Sequence, residues 1–457
     1  MSLYTGLIWI SQDISVPFSF ENNILMLHFK NMMCPIDGEV QDLYGDSYSE
    51  ANGILFHLTF PISTILKRIR FYGTEPFLTG EVSLNVDYYI TNFKSDCKYE
   101  NMVFRFEELN WFAPSICNCA FNRTEGEYTF LKRVTELSKF DFDYNGKKIE
   151  FLLRAQSDIS YSAKCNASTF TELVLGFERT DDINFIIGLY ILIKNAFSFI
   201  CNRRNIDIKE TILQGKVVEL LPTKNDPQQF EEKEVESEQW LYIIDDYQED
   251  LESQKEIQRT INYGLVASHF RELIELIGDN KVSIFSIHSC NKVKNLIDLD
   301  QSLHITAAFE YYQRTFLPEI ASDVSIEFYN DIKDLVENYA EKQTGNKRKK
   351  AKELIKHLVP HISLKEKIVK VYSGYSTWNG LAEILNKWFS NKVSDLAQVA
   401  NDWRNELAHE KNEYQIVRKV VDAIRLVEHI NYCIVLRQAK YNDEEIKDII
   451  EEILKHS

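Results

Sequence analysis

Short runs alternating apolar with polar positions fill the first two hundred residues. ILMLHFKN (24–31), GILFHLTF (53–60), VSLNVDYYI (82–90), MVFRFEEL (102–109) and KIEFLLRA (148–155) are rich in β-branched and aromatic residues. A period of two puts every second side chain on one face of a sheet, so these runs predict strands. VDYYI and FRF offer aromatic cross-strand partners, and DGE (37–39) and YNGKK (144–148) supply turn chemistry between runs. INFIIGLYILIKNAFSFIC (183–201) predicts a helix, and GKVVELLP (215–222) one more strand. Lys194 and Asn195 interrupt that helix. Its uninterrupted apolar part is too short for a bilayer, so a buried core helix is expected and no membrane partner.

The pattern then changes. TKNDPQQFEEKEVESE (223–238) is charge-dense and predicts a linker or exposed loop. From Gln239 a helical period dominates, through WLYIIDDYQEDL, TINYGLVASHFRELIELIG and LHITAAFEYYQRTF. Gly345-Asn346, Pro360 and GYSTWNG (374–380) mark breaks between helices. The expected class is α+β. A β-rich domain at 1–238, ending in the linker, precedes an all-α region at 239–457 that forms a bundle.

Composition narrows the picture without naming a chemistry. The chain has 457 residues, 44% hydrophobic and 26% charged, which suits two or three globular domains. The net charge of −17 is unevenly spread. Residues 301–457 carry 23 Lys and Arg against 24 Asp and Glu, leaving 29 against 45 for residues 1–300. An acidic surface repels phosphate backbones, so any nucleic-acid contact is expected in the near-neutral last third. Eight cysteines are scattered, and only Cys117 and Cys119 sit close, with no Cys/His pair following at zinc spacing. Free thiols in a reducing compartment are expected, and the first residues lack the pattern of a signal peptide. The expected location is the cytoplasm.

One helix carries candidate chemistry. In SDLAQVANDWRNELAHE (394–410), Leu396, Ala400, Trp403 and Leu407 recur at four, three and four, which predicts a core-facing stripe. Ser394 is placed to cap the N-terminus. Arg404 falls at the stripe's edge, and Asn405 and His409 stack one turn apart. Arg404 and His409 are separated by roughly 140° on an ideal helix. Convergence on one site therefore needs a distortion near Ala408, the reach of the arginine, or a second subunit. The residue types suit RNA cleavage by the ribose 2′-OH, which needs no metal. Histidine moves protons near neutral pH, and the planar fork of arginine stabilises charge on the transferring phosphate. Asn405 would orient the ring or the phosphate. A solvated helix face is the plain alternative for the same residues.

Arg404-Asn405-Glu406-Leu407-Ala408-His409 resembles the signature of the HEPN superfamily, an arginine and a histidine with four to six residues between them, the one straight after the arginine being polar. The RNxLAH form and the layout resemble the ApeA-like group of HEPN proteins. LHITAAFEYYQRTF (303–316) is similar to that family's first helix, with A-x-E-x-Y through Glu310 and Tyr312. The resemblance implies a HEPN domain at about 300–457, catalytic Arg404, Asn405 and His409, and no cofactor or metal. It also implies a homodimer through the HEPN domain, with two motif helices sharing an RNA-cleaving cleft. The activity implied is an endoribonuclease on tRNA or other cellular RNA in abortive anti-phage defence, with a phage-derived trigger at the N-terminal domain. A HEPN domain that binds RNA or a partner protein without cutting stands as the alternative.

Other clusters have two readings each. Lys347, Arg348, Lys349 and Lys350 in NKRKKAKELIKH (346–357) are an RNA phosphate contact or a solvated loop and helix start. Glu310 orients Arg404 or His409, or pairs with Arg314 one turn along. His429 is expected to be packed or at the surface. His357 and His361 flank Pro360 and lack a third ligand, so no metal site is expected. No phosphate-binding glycine loop is present, and the serines near His288 lack a nucleophile elbow. The acidic N-terminal part is expected to restrain the cleft or to dock a phage protein.

Overall fold

The computed structural model describes residues 4–9, 15–33, 47–51, 53–69, 77–114, 119–122, 127–130, 134–161, 165–222, 230–244, 253–293, 298–317, 323–357, 362–374, 381–389, 392–408 and 418–454. The chain divides into two compact units, 1–194 with 205–258, and 195–204 with 259–457.

The first unit is built on strands β1 (Tyr4–Trp9), β2 (Ser15–Glu21), β3 (Ile24–Met33), β4 (Ser47–Ala51), β5 (Ile54–Ile69), β6 (Phe77–Thr91) and β7 (Lys98–Arg105). Helix α1 (Glu107–Phe112) follows, and then β8 (Cys119–Asn122), β9 (Glu127–Phe130), β10 (Thr135–Tyr144), β11 (Lys147–Tyr161) and β12 (Cys165–Thr180). Helix α2 (Ile183–Cys201) precedes β13 (Glu210–Pro222), β14 (Phe230–Ile243) and the short α3 (Gln254–Ile257). Among the described residues twelve strands form one sheet, in the order β1-β2-β3-β6-β14-β13-β7-β12-β11-β10, with β4 and β5 joined to β6. Every pairing in it is antiparallel. Along β6, β3 pairs with Phe77–Asn85 and β14 takes over at Tyr88–Thr91.

The alternation read from sequence becomes burial. Phe18 and Phe20 on β2, Leu25, Leu27 and Phe29 on β3, and Val82, Leu84 and Val86 on β6 fill one core. Phe20 meets Phe56 and Tyr89 edge-on, with ring centroids 5.2 and 5.0 Å apart. Asn145 and Gly146 at φ 50° and 74° make the tight turn between β10 and β11, as NG in YNGKK suggests. Gly215 sits at a register shift between β13 and β7, where a Cβ would lie 2.3 Å from the Lys98 carbonyl oxygen. On β12, Glu172 is fully buried between two arginines of neighbouring strands, 2.5 Å from Arg105 Nη2 and 2.8 Å from Arg154 Nη2.

Three expectations change here. The charged segment at 223–238 is not simply a linker, because from Phe230 it forms β14, paired with β13 along its length. Its charged half is exposed and held by the backbone ladder, with Lys233 opposite Glu219 and Glu236 opposite Lys216. WLYI, read as the start of a helix, is the end of this strand, where Trp240 pairs with Ile212 and Leu241 is buried. FEEL, read as the end of a strand, turns helical in α1, because Leu109 and Phe112 bury on a helical spacing. The turn at 37–39 lies outside the described residues.

Helix α2 is long and apolar enough by composition to cross a membrane, yet 61% of that window is buried within the chain. Phe185, Ile186, Leu189, Ile193, Ala196, Phe197 and Ile200 are all buried.

The second unit is helical among its described residues. It comprises α4 (Tyr263–Val266), α5 (Phe270–Gly278), α6 (Leu299–Phe316), α7 (Asp323–Glu341), α8 (Gly345–His357), α9 (Leu364–Ser373), α10 (Ala382–Phe389), α11 (Val393–Ala408), α12 (Arg418–Gln438) and α13 (Asp443–Leu454). At its centre is α12, buried along most of its length, with α6 and α11 packed on it. Asn431 Nδ2 on α12 donates to the Ile305 carbonyl of α6 at 2.9 Å. A buried polar cluster ties residues 195–204 to this core. His288 Nε2 lies 3.2 Å from Glu428 Oε1, Asn202 Nδ2 donates to the same oxygen at 3.3 Å, and Tyr432 donates to Asn202 Oδ1 at 3.0 Å. Pairing of this kind is what allows a carboxylate to stay buried. Of the cysteines, Cys97, Cys201, Cys290 and Cys433 are free; Cys34 and Cys117 lie outside the described residues.

Candidate functional site: the arginine helix and its carboxylate

Helix α11 forms because its apolar residues recur on one face and find α12, α9 and α6 to pack against. Leu396, Ala400 and Trp403 are buried, and Leu407 is half-buried, so the predicted stripe is the packed face. The predicted cap is displaced. Val393 opens the helix and Ser394 lies within it, exposed, while the Leu396 amide already bonds the Lys392 carbonyl. Two alanines at 397 and 400, both fully buried, let the neighbouring helices come close.

Arg404 leaves the edge of this stripe. Its Nη2 donates to Glu310 Oε2 on α6 at 3.1 Å. The other oxygen of Glu310 lies 3.8 Å from Lys367 Nζ on α9. One carboxylate therefore serves two cations from two other helices. Each element is fixed separately. Asp298 accepts from the Gln301 amide to start α6. Ile305, Ala308, Phe309 and Tyr312 seat its core face, and the Tyr312 hydroxyl accepts from the Ser283 amide at 2.8 Å. Ser363 and Glu366 form a reciprocal capping box that starts α9. Glu310, between Ala308 and Tyr312 in sequence, faces away from those buried residues.

The side chains of the trio keep some contact with solvent, Arg404 at 39%, Glu310 at 33% and Lys367 at 20%. A half-open cation with a fixed carboxylate partner is held in place while its remaining N–H groups stay free for an anion. Glu310 does not pair with Arg314, the i,i+4 alternative, because its carboxylate is turned to α11 and α9. Asn405 is exposed, next to Arg404. His409 lies outside the described residues, which reach Ala408 in α11.

The remaining sequence candidates separate from this trio. Lys347, Arg348, Lys349 and Lys350 are exposed on the first turns of α8, as helix rather than loop. His429 is buried on α12 between Trp388 and Phe389, with ring centroids 5.8 and 5.1 Å away. Its Nδ1–H donates to the Arg425 carbonyl at 2.7 Å. Burial brings its pKa down to about 4, so the ring is neutral at physiological pH. It is a packing residue. The side chain of His357, and all of Pro360 and His361, lie outside the described residues, as do 375–380 of GYSTWNG. Among the described residues no group of three His, Cys, Asp or Glu could hold a metal ion. An open cleft of about 440 Å³ is lined by Tyr372, Glu383, Asn386 and Ser394. None of Arg404, Glu310 and Lys367 lines this cleft, and Ser394 is ten residues before Arg404, about 15 Å along the helix axis.

Sequence reasoning missed Lys367. It lies 37 residues before the motif arginine, in an ordinary amphipathic helix. No local signal marks it, since only the packing of α9 against α11 brings it to Glu310.

Residues 303–445, from α6 into α13, match the family model described as Apea-like HEPN, so this segment of the chain is an Apea-like HEPN domain. Neither a curated relative nor a solved structure matches the chain. HEPN domains are in most cases ribonucleases and commonly dimerise.

Proposed function

We propose that the protein is a HEPN endoribonuclease that cleaves cellular RNA, with tRNA one candidate substrate, in cytoplasmic anti-phage defence. The observation that carries this reading is Arg404, held at 3.1 Å by Glu310 and still 39% open to solvent. An arginine needed only for packing has no use for such exposure beside a second cation, Lys367.

In the proposed reaction the ribose 2′-OH attacks the adjacent phosphorus. The P–O bond to the 5′-oxygen of the next nucleotide breaks. His409 takes the 2′-OH proton or supplies one to the departing oxygen, and Arg404 stabilises the charge that builds on the non-bridging oxygens. Asn405 orients the phosphate or the imidazole. Glu310 fixes the guanidinium so that no reorientation is required at the transition state. The products are a 2′,3′-cyclic phosphate and a 5′-OH end, and the chemistry consumes no cofactor. A trigger acting on the N-terminal part would release the activity on infection.

The test is growth of cells carrying wild type, His409→Ala or Arg404→Ala, with and without phage, combined with sequencing of RNA ends. Wild type is expected to generate new 5′-OH ends on infection and both variants to generate none. Protection by the variants equal to wild type would overturn the nuclease reading and leave a binding module.

A further inference from the structure

The 3-10 turn Ile284–Ser286 carries a phenylalanine that the core does not use. Phe285 is 63% exposed, while Ser286, Ile287 and His288 after it are buried. The turn is pinned to α6. The Gln301 side-chain amide donates to the Ser286 carbonyl at 2.7 Å, and the Ser283 amide donates to the Tyr312 hydroxyl. An exposed ring is thus held on a fixed base. Two polar neighbours surround it. The Arg204 guanidinium lies over the Phe285 ring, 5.6 Å from its centroid, and the His304 ring of α6 is 5.9 Å away at 31°. Arg204 is tied to the same segment, because its amide donates to the His288 carbonyl at 2.8 Å. All three residues belong to the helical unit.

This group continues along α6 into the surroundings of Arg404. Leu303, His304, Ala307 and Arg314 are exposed on that helix, and Glu310 is half-buried. On an ideal helix these positions fall within about 120° of arc, so they make one solvent-facing strip. His304 precedes Glu310 by six residues, about 9 Å along the axis. One end of the strip therefore carries the Phe285 and His304 rings with Arg204. Arg404 and Lys367 stand further along, held on Glu310, and Arg314 follows one turn beyond.

The geometry points to a base-stacking subsite at Phe285 and His304, for a single-stranded RNA whose phosphate lies at Arg404. The inference rests on the nuclease reading and adds to it a contact with a base near the scissile phosphate. A nucleobase stacks on an aromatic ring whatever its identity, and a guanidinium alongside meets the phosphates that join the bases. Cations alone would hold any polyanion, duplex included. A fixed, exposed ring favours strands whose bases are unstacked. A protein partner would need a wider apolar surface than Phe285 and Leu303 provide. Phe285 and Arg204 both lie outside the segment 303–445 that matches the family model, so the subsite is a feature of this chain's own flanking residues.

The experiment measures RNA binding by the full chain separately from cleavage. The binding probe is a fluorescein-labelled single-stranded RNA oligomer methylated on every 2′-oxygen, which attack by a 2′-OH cannot cut; the unmethylated oligomer serves for cleavage. Phe285→Ala is expected to weaken binding and raise KM by about tenfold, with kcat nearly unchanged. Phe285→Trp is expected to restore both, and bound RNA to quench the added indole, which a merely structural ring would not show. A duplex of the same sequence should bind wild type and Phe285→Ala alike. The position is exposed, and an unchanged melting temperature separates a lost contact from a lost fold. Equal affinity of wild type and Phe285→Ala for the methylated oligomer would overturn the inference. So would a wild type that does not bind it, a tryptophan variant that neither rescues nor is quenched, or an equal loss on duplex. A wild type that binds and cuts nothing, with the Phe285 effects on binding intact, would count against the nuclease reading and support the subsite.

Discussion

Acidification should loosen the helical unit through His429. The ring is enclosed by Trp388 and Phe389, and its Nδ1–H is committed to the Arg425 carbonyl. Burial favours the neutral form in the folded chain and outweighs the hydrogen bond to the Arg425 carbonyl, which favours the charged one, giving a pKa of about 4 against 6.5 for an unhindered histidine. Because the folded value is the lower one, the unfolded chain binds more protons between these two limits. Stability is then full above pH 6.5 and is lost as pH falls toward 4. Linkage between those values gives a loss of about 2 kcal/mol at pH 5, rising to about 3 kcal/mol at pH 4. The assay is urea unfolding between pH 7.5 and 5, followed by tryptophan fluorescence, to which Trp388 contributes from 5.8 Å away. Wild type is compared with His429→Gln. Carboxylates titrate alike in both proteins, so the difference between the two pH dependences isolates the histidine. The variant should lose about 2 kcal/mol less than wild type on going to pH 5. Parallel curves would refute the reasoning, since they require a ring already charged or already solvated. The same burial means that an activity titrating near neutral pH must come from another residue than His429.

Glu310→Ala should lower kcat for RNA cleavage by about tenfold to 100-fold with KM nearly unchanged, because Arg404 loses its brace and not its charge. Its melting temperature should barely move, since an exchange at a partly exposed pair contributes no more than about 1 kcal/mol; equal falls in kcat and stability would count against a positioning role. Glu172→Ala in the sheet leaves Arg105 and Arg154 facing each other without their shared carboxylate and should cost about 3–5 kcal/mol by denaturant titration. An unchanged midpoint there would mean that the buried acid is dispensable to the sheet.

Much of this organisation is legible in the chain itself. Alternation in ILMLHFKN, VSLNVDYYI and KIEFLLRA determines strands, because a half-buried sheet can be made only by side chains that change face at every residue. The stripe Leu396, Ala400, Trp403, Leu407 determines α11 and its packed face, and with them the edge from which Arg404 must leave. NG at 145–146 determines a turn, since few other pairs accept two left-handed residues in succession.

Tertiary structure decided the rest. FEEKEVESEQ reads as solvent-loving in any local window, and it becomes a strand because β13 offers a ladder and opposite charges across it. Glu310 has Arg314 one turn away in sequence, and takes Arg404 and Lys367 because α11 and α9 pack where its side chain points. The stripe Phe328, Ile332, Leu335, Tyr339 of α7 is indistinguishable in sequence from that of α11. One is buried and the other open, and only the positions of the surrounding helices decide between them. A local pattern records which face is apolar. What that face meets depends on residues tens to hundreds of positions away, and no window on the sequence contains them.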